Sequence, residues 1–140
     1  MTIEQTIPFG TPIFLTLDHI LRLHARQIEI FGGSDGMRDI ALVESAMAQP
    51  RQAVGGQYLH KTLAEMAAAY LYYLAKNHGF VDGNKRVAAA AALTFLEMNG
   101  IDTNNIDETE MGDLTIAVAS GTADKSNIAV FFGKRTTGGE

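Results

Sequence analysis

Apolar residues recur along most of this chain at helical spacing. Ile20, Leu23, Ile28 and Phe31 mark a first helix over 17–31, stopped by Gly32-Gly33, where glycine takes the left-handed conformation of a helix end. Asp39 is placed to cap a second helix over 40–48, closed by Pro50. Thr62-Leu63-Ala64-Glu65 is a capping box. It opens a helix to about Asn77, with Leu63, Met66, Ala67, Tyr70, Leu71 and Leu74 on one face. Asn84 is read as the cap of the next helix, which ends at Asn99-Gly100. Alanine runs at 67–69 and 88–92 let these two helices approach closely, so they are expected to form the centre of a bundle. A further helix starts at Asp107 and stops near Gly121. A last one covers about 125–132, and the tail from about 134 should fray. Residues 11–17 read as a short extended lead-in. Only 51–61 break the pattern: Gly55-Gly56 between Val54 and Tyr58 suits a two-residue hairpin turn, or a plain loop. The fold class is therefore all-α.

No repeat, linker or composition shift divides the 140 residues, which predicts one domain over 1–140. Hydrophobic content of 46% and charged content of 19% fit a globular chain. The net charge of −5 argues against direct nucleic-acid binding, which rests on basic surface. There is no cysteine, which removes disulfides, thiolate nucleophiles and thiolate zinc sites, and fits a cytoplasmic location. The N-terminus lacks the pattern of a secretory signal. The most apolar run, 87–96, is about half the length that crosses a bilayer, so no membrane association is expected.

Chemistry concentrates in one loop between the two central helices, His78-Gly79-Phe80-Val81-Asp82-Gly83-Asn84-Lys85-Arg86. The first N–H groups of a helix lack intrahelical partners, and the helix dipole adds about half a positive charge there. Lys85 and Arg86 in that first turn are unfavourable by about 0.3–1 kcal/mol each, a penalty that an anion removes. N–H groups with a lysine and an arginine make a phosphate cradle, and Gly83 lets the backbone come close to the ligand. Asp82 is the loop's one acid, suited to hold Mg²⁺ together with phosphate oxygens. His78 can accept a proton near neutral pH and is the candidate general base on an attacking hydroxyl. Phe80 is the expected anchor of the loop in the core.

Other phosphate and hydrolase signatures are missing. There is no G-x-x-x-x-G-K-[ST], no strand-linked G-x-G-x-x-G, no H-R-D or D-F-G and no G-x-S-x-G. A metal-dependent nuclease using Asn77, His78 and Asp82 has few ligands and an acidic surface against it. A non-catalytic module binding nucleotide or a partner is the remaining alternative. His24 is expected to be a partly buried helix residue with a hydrogen bond rather than a catalyst. His60, near the possible hairpin, has only its position to suggest contact with a target. His19 is expected at the surface.

The loop resembles the signature of the Fic/Doc (Fido) superfamily. The Fic form reads H-x-F-x-[DE]-G-N-G-R and the Doc form H-x-F-x-[DN]-[AG]-N-K-R; His78, Phe80, Asp82, Gly83, Asn84, Lys85 and Arg86 match the Doc form throughout. Phe31 to Asp39, with Val43-Glu44-Ser45-Ala46-Met47 and Pro50, resembles the second block of Doc-like proteins, so the likeness runs from about Phe14 to Phe132. It implies a Fic/Doc-like helical bundle with a short β-hairpin flap beside the active site. The flap would be Val54, Gly55, Gly56, Gln57, Tyr58 and Leu59, aligning the target peptide by adding a strand to it. It implies His78 as base on the target hydroxyl, Asp82 as Mg²⁺ ligand, and Asn84, Arg86 and the helix-start N–H groups as phosphate ligands, with Gly83 and Lys85 beside them. Lys85 stands where the Fic form has glycine. In the Fic form that space takes the α-phosphate of ATP and AMP is transferred. In the Doc form the nucleotide is reversed and presents its γ-phosphate. The resemblance thus implies a toxin of a toxin–antitoxin pair, a protein Ser/Thr kinase-type phosphotransferase using ATP and Mg²⁺. Elongation factor Tu is the expected target and translation inhibition the outcome, with AMP transfer as the alternative. The inhibitory pattern [ST]-x-x-x-E-[GN] of many Fic proteins is missing, since no glutamate precedes Gly or Asn. A separate antitoxin, with an amphipathic segment in a groove by the site, is expected instead.

Overall fold

The computed structural model describes residues 11–136. The segment 1–10, on which the expectation about a leader bears, and residues 137–140 of the tail lie outside the described residues.

Helix α1 (Leu17–Phe31) starts at Thr16, whose hydroxyl accepts from the His19 N–H at 3.2 Å. The Thr16 N–H donates to His19 Nδ1 at 3.0 Å, so an imidazole completes the capping box in place of Glu or Gln. Helix α2 (Ile40–Ala48) is capped as expected: Asp39 Oδ1 accepts from the Ala41 N–H at 2.9 Å. Its end tightens into a 3₁₀ turn, Gln49–Arg51, with Pro50 buried. Strands β1 (Ala53–Val54) and β2 (Gln57–Tyr58) then pair antiparallel, Ala53 opposite Tyr58 and Val54 opposite Gln57. Gly55 and Gly56 carry φ of 60° and 80°, the backbone a two-residue primed turn demands. The hairpin reading of 51–61 holds, and the plain loop does not.

Helices α3 (Leu63–Asn77) and α4 (Asn84–Met98) form the centre, joined by the reactive loop. Six consecutive residues of α3, Met66, Ala67, Ala68, Ala69, Tyr70 and Leu71, are buried, because α2, α4, α5 and α6 all pack on it. Ala88, Ala91 and Ala92 of α4 are equally buried, as small side chains at a close helix contact should be. Tyr70 and Phe95 lock the pair with rings 5.1 Å apart. Each such side chain contributes about 1.5–3 kcal/mol by leaving water. The Tyr70 hydroxyl accepts from the Leu15 N–H at 3.0 Å, and burial pushes its phenol up to about 12. Asn99 takes both backbone groups of Ile13, at 2.8 and 2.9 Å, so the segment before α1 is fastened to the end of α4.

Helix α5 (Glu108–Ser120) is capped by Asp107, whose Oδ2 accepts from the Glu110 N–H at 3.0 Å. Helix α6 (Lys125–Thr136) closes the bundle against α3. All six helices and the hairpin give an all-α Fic/Doc-like architecture among the described residues.

Three expectations need correction. The last helix does not end at Phe132, nor does fraying begin at 134: Arg135 reaches Glu110 through two bonds of 3.1 and 3.2 Å and lies 3.9 Å over the Phe131 ring. The Thr62 hydroxyl caps α3 at the Glu65 N–H, but Glu65 returns to the Lys61 N–H rather than to Thr62. Asn84 does not cap α4. Gly83 is the cap residue, at φ 80°, and Asn84 is the first residue of the helix itself.

Candidate functional site

The reactive loop is held from three sides. His78 ends α3 in the left-handed conformation, φ 54° and ψ 48°, the one non-glycine residue at positive φ among the described residues. Such a conformation is uncommon outside glycine and costs on the order of 1 kcal/mol. It turns the chain sharply so that Gly79 runs against α2. A Cβ on Gly79 would collide with Val43 Cγ2, so only glycine lets the loop approach so closely. The Gly79 carbonyl accepts from the N–H groups of Arg38 and Asp39 at 2.9 and 3.0 Å, and the Val81 N–H donates to Gly36 at 2.9 Å. The segment between α1 and α2 thereby forms a ladder with the loop.

Phe80 is buried, and its ring lies flat on the His24 imidazole, centroids 3.8 Å apart and planes 12° off parallel. Asn84 clamps the backbone of the same residue: Oδ1 accepts from the Phe80 N–H at 3.1 Å and Nδ2 donates to its carbonyl at 2.9 Å. That pair of hydrogen bonds explains why Asn84 is not the cap. Its side chain points back into the loop, and what it offers a ligand is its backbone N–H. His24 is buried and bonded, the structural role expected for it: Nε2 donates to the Asp82 carbonyl at 2.7 Å.

Among the described residues, no side chain caps α4, and the N–H groups of Asn84, Lys85 and Arg86 have no partner. Lys85 is exposed and makes no hydrogen bond or ion pair among the described residues. Arg86 is exposed too, its guanidinium stacked 4.4 Å over the Phe31 ring. Asp82 Oδ2 accepts from the Ser34 N–H at 2.8 Å.

These groups line one wall of a cavity of about 520 Å³. His78, Asp82, Gly83, Asn84, Lys85 and Arg86 all face it, and Gly112, Thr115, Ile116 and Ala119 of α5 form the other wall. The volume is that of a small-molecule site. The arrangement can hold an anion at the helix start with a titratable imidazole on the same cavity. Asp82 is its only carboxylate, and no group of three His, Cys, Asp or Glu side chains converges among the described residues. One carboxylate suits Mg²⁺, which is bound by one or two carboxylates when phosphates supply further oxygens.

The hairpin residues Val54, Gly55, Gly56, Gln57, Tyr58 and Leu59 do not line this cavity. Tyr58 instead packs edge-on against Phe14 at 5.7 Å, while Val54 and Leu59 are largely exposed. His60 does not face outward to a target. It is buried, and its Nε2 accepts from Lys125 Nζ at 3.1 Å. Burial first, and then the Lys125 ammonium, hold its imidazole below the usual value. Two contributors escaped the sequence reading: Phe31 as the platform under Arg86, and the α5 wall. The glycine pair after Phe31 marked a turn there, but no local signal pointed to Gly112 or Ile116. No helix among the described residues is long and apolar enough to cross a membrane.

A profile described as the Fic/DOC family matches residues 14–96. The chain is 43% identical over 100 residues to Toxin Doc of Mycolicibacterium smegmatis, covering 71% of this chain and 77% of that protein. It is 34% identical over 112 residues to Protein kinase doc of Escherichia phage P1, covering 80% of this chain and 86% of that one.

Proposed function

From the premise that the chain belongs to the Fic/DOC family, we propose that it is the toxin of a toxin–antitoxin pair and a protein kinase, moving the γ-phosphoryl group of ATP onto a Thr or Ser hydroxyl. The observation that carries this reading is the first turn of α4. Two cations and unpaired N–H groups surround a helix start with no side-chain cap, and His78 lines the same cavity. The names of the two relatives, a toxin and a protein kinase, support it.

In this mechanism His78 accepts the proton of the target hydroxyl. That oxygen forms a bond to the γ-phosphorus, the bond from phosphorus to the bridging oxygen breaks, and ADP leaves. Lys85, Arg86 and the N–H groups of residues 84–86 bind and orient the phosphates. Asp82, steadied by Ser34, would hold Mg²⁺, which when bound neutralises phosphate charge. Lys85 in the place of the Fic glycine favours the γ-phosphate over the α-phosphate as the transferred group. The hairpin, with its exposed two-residue strands, would take the target segment by strand addition. Elongation factor Tu in the cytoplasm is the proposed target, and translation arrest the result. An antitoxin in trans fits the missing inhibitory motif and the exposed Val81 and Ile116 on the cavity rim.

The test is incubation with elongation factor Tu, Mg²⁺ and ATP labelled at either the γ- or the α-position. Label from the γ-position on Thr or Ser, lost in His78→Ala, is expected. Label from the α-position assigns AMP transfer instead, and nucleotide binding without any transfer makes the protein a binding module.

A further inference from the structure

His24 stands 58 residues before Asp82 in the chain, and its Nε2 bonds the Asp82 carbonyl at 2.7 Å. The imidazole is only 3% exposed. A leucine or phenylalanine would fill that space without burying a polar ring, so the donor has to matter. A carbonyl only accepts, so the ring nitrogen facing it carries the proton.

The partner atom is what makes this contact informative. Counting back four residues from Arg86 gives Asp82. If α4 began one residue earlier, the Asp82 carbonyl would accept the Arg86 N–H in the helical pattern. Instead the first such bond is Val87 N–H to the Gly83 carbonyl, at 2.9 Å. His24 draws the Asp82 carbonyl toward α1, and Gly83 at φ 80° breaks the helical path at the same place. The His24 ring and Ile28 also floor this turn: a Cβ on Gly83 would come within 3.5 Å of His24 Nε2 and 3.2 Å of Ile28 Cδ1. At its other end Asp82 is fixed by the Ser34 N–H on its carboxylate.

We infer that His24 is a positioning residue that sets the starting frame of α4: by drawing the Asp82 carbonyl toward α1 it keeps that oxygen off the helix axis, leaves the Arg86 N–H out of the helix ladder and free for phosphate, and aims the Asp82 carboxylate at the cavity. The inference rests on the reading of this helix start as the site of the nucleotide's phosphates. His24 touches no reacting atom, and its effect passes through Asp82 and Arg86.

The experiment follows the backbone amide resonance of Arg86 by NMR in the full chain, with and without ATP and Mg²⁺, alongside phosphoryl transfer to elongation factor Tu. His24→Phe keeps the ring stack on Phe80 and removes the donor. His24→Gln keeps a donor and removes the ring. In the unsubstituted protein ATP should shift the Arg86 amide strongly. In His24→Phe that shift should be lost at unchanged melting temperature, with kcat/KM for ATP down about tenfold or more and KM for the target unchanged. His24→Gln should restore both. If the unsubstituted protein shows no shift of Arg86 with ATP, the phosphate site itself is wrong. If it does, and His24→Phe shifts as strongly and transfers as fast, or His24→Gln fails to restore, the role of His24 is overturned. Should His24→Phe not fold, His24→Leu is judged by the same criteria.

Discussion

The guanidinium of Arg86 rests 4.4 Å above the ring of Phe31, an aromatic residue that is itself 56% exposed at the end of α1. A cation–π contact at such a surface contributes about 0.5–1 kcal/mol. A charge-assisted bond to phosphate is stronger. Phe31 therefore holds the arginine near the helix start without trapping it.

Removing the platform should weaken nucleotide capture more than folding. Phe31→Ala is expected to raise KM for ATP about two- to fivefold, the equivalent of the lost contact, and to leave the thermal midpoint nearly unchanged. Phe31→Trp should keep or tighten binding. Steady-state transfer at varied ATP reads both; an unaltered KM in Phe31→Ala would show that Arg86 needs no platform.

Gly79 tests how tightly the loop is docked on α2. A Cβ there meets Val43 Cγ2 in collision and also comes 3.1 Å from the Val43 nitrogen and 3.3 Å from the Asp39 carbonyl. Side chain can move and backbone cannot. Gly79→Ala should cost about 1–3 kcal/mol in urea denaturation, as overpacking does. Adding Val43→Ala should recover only part of it, because the backbone contacts remain.

Much of this architecture is legible in the sequence because its signals are local. The Gly32-Gly33 stop, the Asp39 and Thr62 caps and the Gly55-Gly56 turn each work within a few residues, and each sits where the pattern places it, although Gly32 ends α1 at φ 85° and ψ 177° rather than in the left-handed helical conformation. The candidate site's first wall is legible for the same reason, its residues being contiguous in the loop. What is not legible depends on distant partners. Asn84 resembles a cap by composition, yet the geometry of a loop folded back on itself gives its side chain to Phe80. Helix α6 runs to Thr136 because Arg135 finds Glu110 25 residues away. His60 is buried because Lys125, 65 residues on, covers it. The α5 wall has no motif at all.

Asn84 yields a prediction from that misreading. Its two bonds to Phe80 satisfy backbone groups in a half-buried turn. Losing them should cost about 1–3 kcal/mol. Asn84→Ala should therefore lower the unfolding midpoint and speed hydrogen exchange at the Phe80 amide. Asn84→Asp keeps the acceptor for the Phe80 N–H but adds negative charge at the proposed phosphate site, so it should fold better than Asn84→Ala and bind ATP worse. Equal ATP affinity in the two variants would count against an anion site at this helix start.

His60 supplies a pH dependence away from the loop. Lys125 Nζ has hydrogens only to give, so His60 Nε2 accepts, and the neutral ring carries its proton on Nδ1. Nδ1 is buried, and the Pro50 carbonyl beside the ring is too poorly placed to satisfy it fully. Burial and the Lys125 ammonium disfavour the imidazolium, and the Glu65 carboxylate and the Pro50 carbonyl oppose them less strongly, so the folded value lies below the unfolded one. Between those two values the unfolded chain binds more protons, and stability rises with pH there. The contribution is complete above the unfolded value of about 6.5 and is lost as pH falls from there through the folded value. Acidifying from pH 7.5 to 5 should lower the thermal midpoint. His60→Gln, which cannot take up a proton, should flatten that slope, while Lys125→Met should shrink it by removing the repelling charge and leaving burial alone. Scanning calorimetry at half-unit pH steps on the three proteins decides the matter: a slope equal in all three would assign the acid sensitivity to other groups.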